Sequence, residues 1–502
     1  MINSSVCRMD KIVKFVKKEK VFLFFLFILV LLSRLFFLGS SLWHDDAFNF
    51  VDKAVNLAVN GQYINAHSTG YPFWIILLAL VMKIGHFFTD KWSVVFLPNL
   101  TAAFFGSLLL FPIYNLSKKI LNNFYYALLT TVTVLISPII WRWSEIAMSD
   151  VFALFFILYA IVFFMDFVEK DKNKYLWLSS LFLYFTLMTR ILYGLVLFPF
   201  IIFWFISKKQ FNYRKIIYII NSWFFTILTM IITYGLFHNL DFFSFLSSYG
   251  SVMPSFKEFL SSSAIILKSI GPVMILMSGL GLIYLFKKDK KYFYFLSSLL
   301  VVFFCYLSSW YRNGLFDIER YSILMTVILL IIAGYCLVIN KITRVLFIIA
   351  FLLSLSLFFR GINLPFDQYK NYGLTFVFSE NHFVNYEAKV SQLSLQAKGD
   401  GDLLAYQSLA NYINDQSVVF HWHKDWAMPK LLLAGAHLSN KALLVTIESE
   451  EDLEKKLVKY QDKRIYLLRG AYDTYLGIMD KYKPIETEVL NNRYIINFIP
   501  PN

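Results

Sequence analysis

The sequence predicts a polytopic α-helical membrane protein over residues 1–360, with about eleven spans, and a small extracytoplasmic α/β domain over residues 361–502. Three observations predict it. The 502 residues are 58% hydrophobic, 19% aromatic and only 16% charged, with a mean hydropathy of +0.58, far from the usage of soluble globular chains. Apolar segments long enough to cross a bilayer recur through the first 360 residues and end there. Charge divides at the same place. Residues 361–502 carry 15 Lys+Arg and 17 Asp+Glu, so the net +14 of the chain resides in the membrane part, where cations sit in short segments between apolar runs. That is how cytoplasmic loops look under the positive-inside rule, and it argues against a nucleic-acid partner.

The basic N-terminus (Arg8, Lys11, Lys14, Lys17, Lys18, Lys20) leads into the apolar run 21–39 without a small-residue cleavage site. It reads as a retained first span with its N-terminus in the cytoplasm. Further apolar segments lie at 71–88, 93–117, 124–140, 150–168, 175–189, 191–207, 216–237, 263–286, 292–309, 321–339 and 343–360. If all crossed the membrane, the basic connections Lys118-Lys119, Lys170 to Lys174, Lys208 to Lys215, Lys287 to Lys291 and Lys341 to Arg344 would all lie outside. Removing one early segment places every one of them inside. The segment to remove is 71–88, which opens with Tyr71-Pro72 and carries Lys83 and His86; it reads as a partly embedded helix on the outer face, beside an amphipathic helix near 46–60. The acids of the outer connections then share one face.

Beyond residue 360, Ser417 to Trp422, Lys441 to Ile447 and Arg464 to Leu468 read as strands that alternate with helical patterns at 402–414, 426–437 and 449–461. Asn491-Asn492 separates two β-rich runs as a hairpin turn would. The three cysteines (Cys7, Cys305, Cys336) all lie outside this region, so no disulfide framework supports it. No Gly-rich phosphate loop is present to cradle a soluble nucleotide donor.

The candidate site residues follow from the outer face. Leu42-Trp43-His44-Asp45-Asp46-Ala47-Phe48 puts two adjacent carboxylates just after the first span, where acids are costly unless used. Neighbouring side chains diverge, so one faces a reaction centre and the other supports it, or both cap the helix that follows. Trp141-Arg142-Trp143-Ser144-Glu145 and Ser149-Asp150 form a second acidic cluster on the next outer connection; its plain reading is an interfacial aromatic belt with a helix cap. Arg34, Arg142, Arg190 and Arg320 lie at outer span ends, where a guanidinium either snorkels to headgroups or grips a lipid-linked phosphate in a fork. His421-Trp422-His423 has metal-like spacing but lacks a third ligand and reads as a polar strand end.

The order of these features resembles a known family. Trp43-x-Asp45-Asp46-Ala47 on the first outer loop is followed by Gly70-Tyr71-Pro72, then Ser149-Asp150, Thr189-Arg190 and Glu319-Arg320-Tyr321. Together these resemble the GT-C glycosyltransferases, in particular the protein O-mannosyltransferases and the aminoarabinose transferase of lipid A, over about residues 10–340. The resemblance implies an integral membrane enzyme that moves a sugar from a polyprenyl-phosphate donor to a lipid A, glycolipid, polysaccharide or protein acceptor on the outer face, with no cofactor. It assigns catalysis to Asp45, Asp46 and Asp150, and makes Asp45 the base of an inverting displacement. Donor phosphate falls to Arg34, Arg142, Arg190 and Arg320, and substrate contacts to Trp43, Tyr71, Glu145 and Tyr321. Two departures stand out: the family's Asp-Glu pair is Asp45-Asp46 here, and the basic residue often found before the surface helix is replaced by Tyr71-Pro72. Competing readings are a metal-dependent oligosaccharyltransferase-like enzyme, with Asp45, Glu145 and Asp150 on a divalent ion, and a transporter with a midplane site.

Overall fold

The computed structural model describes residues 19–35, 38, 45–65, 71–89, 96–207, 213–236, 255–311, 318–361, 417–422, 443–447, 449–460, 463–467, 484–490 and 493–498. They divide into two compact units, one of residues 1–38, 67–74 and 100–390, the other of 39–66, 75–99 and 391–502.

The described residues of the first unit are mostly helical. Helix 19–35 is followed by helices within Phe96–Leu121, then Phe124–Leu135, Ser149–Lys170, Asn173–Leu187, Leu197–Ser207 and Tyr213–Leu236. Phe256–Ile270, Pro272–Lys288, Lys290–Tyr311, Ile323–Ala333 and Lys341–Gly361 complete it. Among the described residues, five helices are long and apolar enough to cross a membrane: Phe96–Leu121, Ser149–Lys170, Tyr213–Leu236, Lys290–Ser309 and Arg320–Ile339. Several expected spans are interrupted where the backbone demands it. The 263–286 segment breaks at Gly271, which sits at φ 86° ahead of Pro272, a residue with no N–H to continue the helix. The 124–140 segment ends at Leu135 and turns through Ser137 into a short helix, Pro138–Trp143.

One end of this unit gathers the cations and acids of the basic connections. Lys119 pairs with Asp166 (2.5 Å) and Glu169 (2.9 Å), Lys170 with Asp166 (2.8 Å), and Lys291 with Glu169 (3.3 Å). Lys118 meets Glu19 at 2.6 Å, Tyr114 donates to the same carboxylate, and Lys215 pairs with Asp171. The Tyr292 hydroxyl donates to Glu169 at 2.5 Å. Helices Phe124–Leu135 and Ser149–Lys170 show how this end is built: Asn123 accepts from the Tyr126 N–H as an N-cap, and Asn122 and Asp171 take left-handed C-cap conformations. Glu19, Asp166, Glu169 and Asp171 are therefore counter-ions for these lysines. Asp150 opens the same 22-residue helix that carries Asp166 and Glu169 near its far end, and the 1.5 Å rise per residue puts those acids more than about 20 Å away along the axis.

Between the two ends the packing is aromatic. Phe164 stacks on Phe200 with centroids 4.1 Å apart, and Phe152, Phe156, Phe182 and Phe185 form a connected run along helices Ser149–Lys170 and Asn173–Leu187. Several hydroxyls return to backbone carbonyls one turn back, as Thr131 in helix Phe124–Leu135 does to Ala127 (2.7 Å) and Thr186 in Asn173–Leu187 does to Phe182 (2.8 Å), which satisfies them away from water.

In the second unit, helix Asp45–Asn60 buries Ala47, Phe50, Val51, Ala54 and Val55, the spacing of a single helical stripe. The part of Pro72–Thr89 that belongs to it buries Ile75, Leu78, Ala79 and Met82 and exposes Leu80, Ile84, Phe87 and Phe88. Strands β1 (Ser417–Trp422), β2 (Leu443–Ile447) and β3 (Arg464–Leu467) form a parallel sheet in the order β2-β1-β3, and β4 (Pro484–Leu490) pairs antiparallel with β5 (Arg493–Phe498). Helix Glu450–Lys459, capped by the Ser449 side chain, packs Leu453 and Leu457 with Val418, Phe420, Val445, Ile447, Ile465 and Leu467. The helical patterns expected at 402–414 and 426–437 and the Asn491-Asn492 turn lie outside the described residues.

Candidate active site

The site is built where helix Asn173–Leu187 ends. Arg190 follows it in extended backbone (φ −146°, ψ 95°), its N–H still bonded to the Thr186 carbonyl, before a 3-10 turn over Ile191–Val196. That break turns the guanidinium inward. It meets the carboxylate of Asp150, in the first turn of Ser149–Lys170, at 2.5 Å, with Asp150 fully buried and Arg190 nearly so. Burial disfavours the Arg190 charge, but the Asp150 carboxylate and the Tyr71, Tyr321 and Tyr193 hydroxyls together outweigh it and hold the guanidinium well above the usual arginine value. One pair thus joins elements 40 residues apart. Asp150 Oδ2 and Arg190 Nε have no hydrogen-bond partner among the described residues. Buried polar atoms left open in this way mark a place where a ligand or water completes the bonding.

Around the pair stand two further groups. The Arg190 guanidinium lies 5.1 Å from the Tyr321 ring centroid, and that of Arg320 lies 5.1 Å from the same ring and donates to the Tyr321 hydroxyl at 3.1 Å. Tyr306 meets Tyr321 edge to face at 6.0 Å, and Tyr71, Tyr193 and Tyr306 act electrostatically on or with Arg190. Two buried guanidiniums, the Asp150 carboxylate and several phenols thus come together, and forked guanidinium N–H groups are donors that can bind an anion. Residues 71–74 tie its two halves together: the Phe73 N–H donates to the Met188 carbonyl at 3.3 Å, and Trp74 Nε1 donates to the Ala147 carbonyl at 3.2 Å. Tyr71 itself takes φ 54°, rare for a residue with a side chain and ahead of a proline.

Of the residues that the sequence marks, Asp150, Arg190, Arg320, Tyr321 and Tyr71 therefore share one neighbourhood. Glu145 is buried on the connection leading to Asp150. Arg34, also buried, turns to the carbonyls of Val30 (3.3 Å) and Leu135 (3.2 Å) and stacks 5.0 Å over Trp141. Asp45 opens helix Asp45–Asn60 and Asp46 is partly buried in its first turn, both in the other unit; the side chains of Asp45 and Arg142, and Trp43 altogether, lie outside the described residues. Tyr193, Tyr306 and Trp74 are members of the neighbourhood that the sequence did not mark. The one signal for Tyr193 is its place three residues after Arg190; Tyr306 is hidden among the aromatics of an apolar helix. No group of three or more His, Cys, Asp or Glu side chains comes together among the described residues.

Residues 79–246 match the model of a family described as dolichyl-phosphate-mannose-protein mannosyltransferase. No curated protein sequence matches the chain. Among solved structures, ArnT from Cupriavidus metallidurans bound to undecaprenyl phosphate is similar with a TM-score of 0.63 at 11% identity, over 96% of this chain and 99% of that one. The same protein in its apo state gives a TM-score of 0.57 at 11% identity, over 96% and 98%.

Proposed function

We infer that this chain is a membrane glycosyltransferase of GT-C fold that uses a sugar carried on a polyprenyl phosphate and transfers it to a hydroxyl of a lipid A, glycolipid, polysaccharide or protein acceptor on the non-cytoplasmic face. The observation that carries the donor class is the buried Asp150–Arg190 pair with Arg320 close by on Tyr321. Two guanidiniums close together offer forked N–H donors, which suit a phosphate group that must be bound at the edge of a bilayer. The ArnT structure with undecaprenyl phosphate supports the same donor class by likeness of fold.

In the step we propose, the acceptor O–H loses its proton to Asp45 as its oxygen attacks the anomeric carbon. The bond from that carbon to the phosphate oxygen breaks on the opposite side, so the anomeric centre inverts, and the lipid leaves as a phosphate monoester held by Arg190 and Arg320. Such a leaving group needs no protonation, so one basic carboxylate suffices. Asp150 orients Arg190, Asp46 and Glu145 bear on the substrate, and Tyr71, Tyr321 and Trp43 line its path. Eleven spans, N-terminus in the cytoplasm and residues 361–502 outside, complete the arrangement.

The test is transfer by membranes containing the chain, supplied with radiolabelled polyprenyl-phosphate sugars and assayed for labelled product. Transfer dependent on the chain is expected, together with loss on Asp45→Asn in a protein that still inserts. If Asp45→Asn turns over normally, Asp45 is not the base. Transfer is expected to survive EDTA; loss restored by added Mg²⁺ or Mn²⁺ would instead favour the metal-dependent chemistry of oligosaccharyltransferase-like enzymes.

A further inference from the structure

Arg34 poses a separate question, because a guanidinium buried in a helix bundle needs partners: its Nη1 and Nη2 have found carbonyls away from the Asp150–Arg190 pair, while Nε has no hydrogen-bond partner among the described residues. At the end of helix Phe124–Leu135 the N–H groups of Ile136 and Ser137 reach the Val132 and Val134 carbonyls, which leaves the Leu135 carbonyl to find a partner outside the helix. At the depth of a bilayer such a group is costly when left alone. Arg34 Nη2 donates to Leu135 O at 3.2 Å from a helix 101 residues earlier in the chain. The positive charge also sits favourably at the negative end of that helix. The plane of the group then covers the Trp141 ring, 5.0 Å from its centroid, in the short helix Pro138–Trp143.

A glycine closes the other side. A methyl group on Gly106 would stand 2.4 Å from Ser144 Cβ, 2.5 Å from Ser144 Oγ and 3.2 Å from Arg34 Nε. Helix Phe96–Leu108 therefore approaches the turn at Ser144 more closely than any other residue would permit. That turn is held by the Ser144 N–H on the Trp141 carbonyl (3.0 Å) and by the Ser144 hydroxyl on Ile140, and five residues later the chain enters helix Ser149–Lys170 to present Asp150.

We propose that Arg34 is a positioning residue: with Gly106, it clamps the connection 136–148 so that Asp150 stands at the right place to hold Arg190, and it does not itself bind donor phosphate. The proposal rests on the donor reading above. A small misplacement suffices for a large effect, since about 1 Å of error at a reacting centre can cost roughly a hundredfold in rate.

The experiment compares Arg34→Gln, Arg34→Lys, Gly106→Ala and the Arg34→Gln/Gly106→Ala double variant in the full chain, purified in detergent and checked for monodispersity. Hydrogen–deuterium exchange of peptides covering 136–150 is measured beside kcat and donor KM. The clamp predicts faster exchange there in Arg34→Gln and Gly106→Ala, with kcat down by about 10- to 100-fold, the scale of a misplaced reacting group, and donor KM within about twofold. Arg34→Lys should recover part of the rate, because an ammonium reaches one carbonyl but cannot cover Trp141 as a planar group. Because the two residues hold the same turn, the double variant should be no worse than the worse single. Raised donor KM with unchanged kcat in Arg34→Gln would make Arg34 a phosphate ligand and overturn the proposal, as would unchanged exchange over 136–150 or a double variant whose loss is the product of the two. Exchange is read without turnover. A chain that transfers no sugar from any lipid phosphate, yet shows local deprotection in these variants, would thus sink the donor reading and leave the clamp standing. Should Arg34→Gln fail to insert, Gly106→Ala and Arg34→Lys carry the same comparison.

Discussion

At the scale of single residues, the Asp150–Arg190 pair is the contact most exposed to disproof. Both groups are buried, and their attraction is set against the cost of removing two charges from water. Asp150→Asn would leave the Arg190 guanidinium without its counter-charge, and removing one partner of such a pair costs about 3–5 kcal/mol. Arg190→Gln would strand the carboxylate in the same way. The double variant Asp150→Asn/Arg190→Gln should be destabilised by less than the two single losses together, read as thermal unfolding in detergent, while transfer is lost in all three. A double variant with a full additive penalty would mean that the two side chains do not depend on each other. The sequence marks both residues, Arg190 as a cation at the edge of an apolar run and Asp150 as an acid opening one. It does not reveal that they meet, because the pairing depends on the break after Leu187 and on how two helices pack. Arg34 presents the same limit from the other side: its position in an apolar run says that it has a partner, and nothing in the local sequence names the carbonyl of Leu135, 101 residues on. Tyr306 carries no signal that separates it from the many aromatics used only for packing, and Tyr193 has only its place three residues after Arg190.

At the scale of elements, helix packing in this chain turns on small residues at particular positions, since lipid gives apolar side chains no reason to prefer one another. Gly281 and Gly279 lie two residues apart on helix Pro272–Lys288 and point to different surroundings. A methyl at Gly281 would stand 2.2 Å from the Ile332 carbonyl oxygen, whereas one at Gly279 would meet nothing within 4 Å. The helix therefore lies against Ile323–Ala333 along its Gly281 face, and Ser278 reinforces the contact by donating to the Leu329 carbonyl at 2.8 Å. Gly281→Ala should lower the melting temperature of the purified protein by several degrees, through an overpacking penalty of about 1–3 kcal/mol, and Gly279→Ala should leave it unchanged or raise it slightly. Equal effects of the two would contradict this register. Apolar length alone locates the helix within the expected 263–286 segment; which glycine faces a neighbour is a matter of rotation about its axis and has no signature in composition.

At the scale of the whole molecule, the helical unit has two chemically different ends, and they can be told apart without reference to any reaction. One gathers Lys118, Lys119, Lys170, Lys215 and Lys291 with Glu19, Asp166, Glu169 and Asp171. The other holds the buried Asp150–Arg190 pair. The charge count in the sequence foresees this division, because the basic connections fall on one side only if the segment 71–88 does not cross. Under the positive-inside rule, the lysine-rich end is the one we propose to face the cytoplasm. A direct measurement follows. In a chain whose native cysteines are replaced by serine, Lys172→Cys and Lys455→Cys both place a thiol on an exposed position, the first between helices Ser149–Lys170 and Asn173–Leu187, the second on helix Glu450–Lys459. A maleimide that cannot cross membranes should label Lys455→Cys in intact cells and Lys172→Cys only after permeabilisation. The reverse pattern would put the basic end outside and the proposed reaction in the cytoplasm. Labelling of both in intact cells would mean that the number of crossings between them is even, so that 172 and 455 share a face, against the odd number implied by eleven spans. Since the proposal needs the lipid phosphate to be met on the side opposite the lysines, this result bears on function as directly as any assay of transfer.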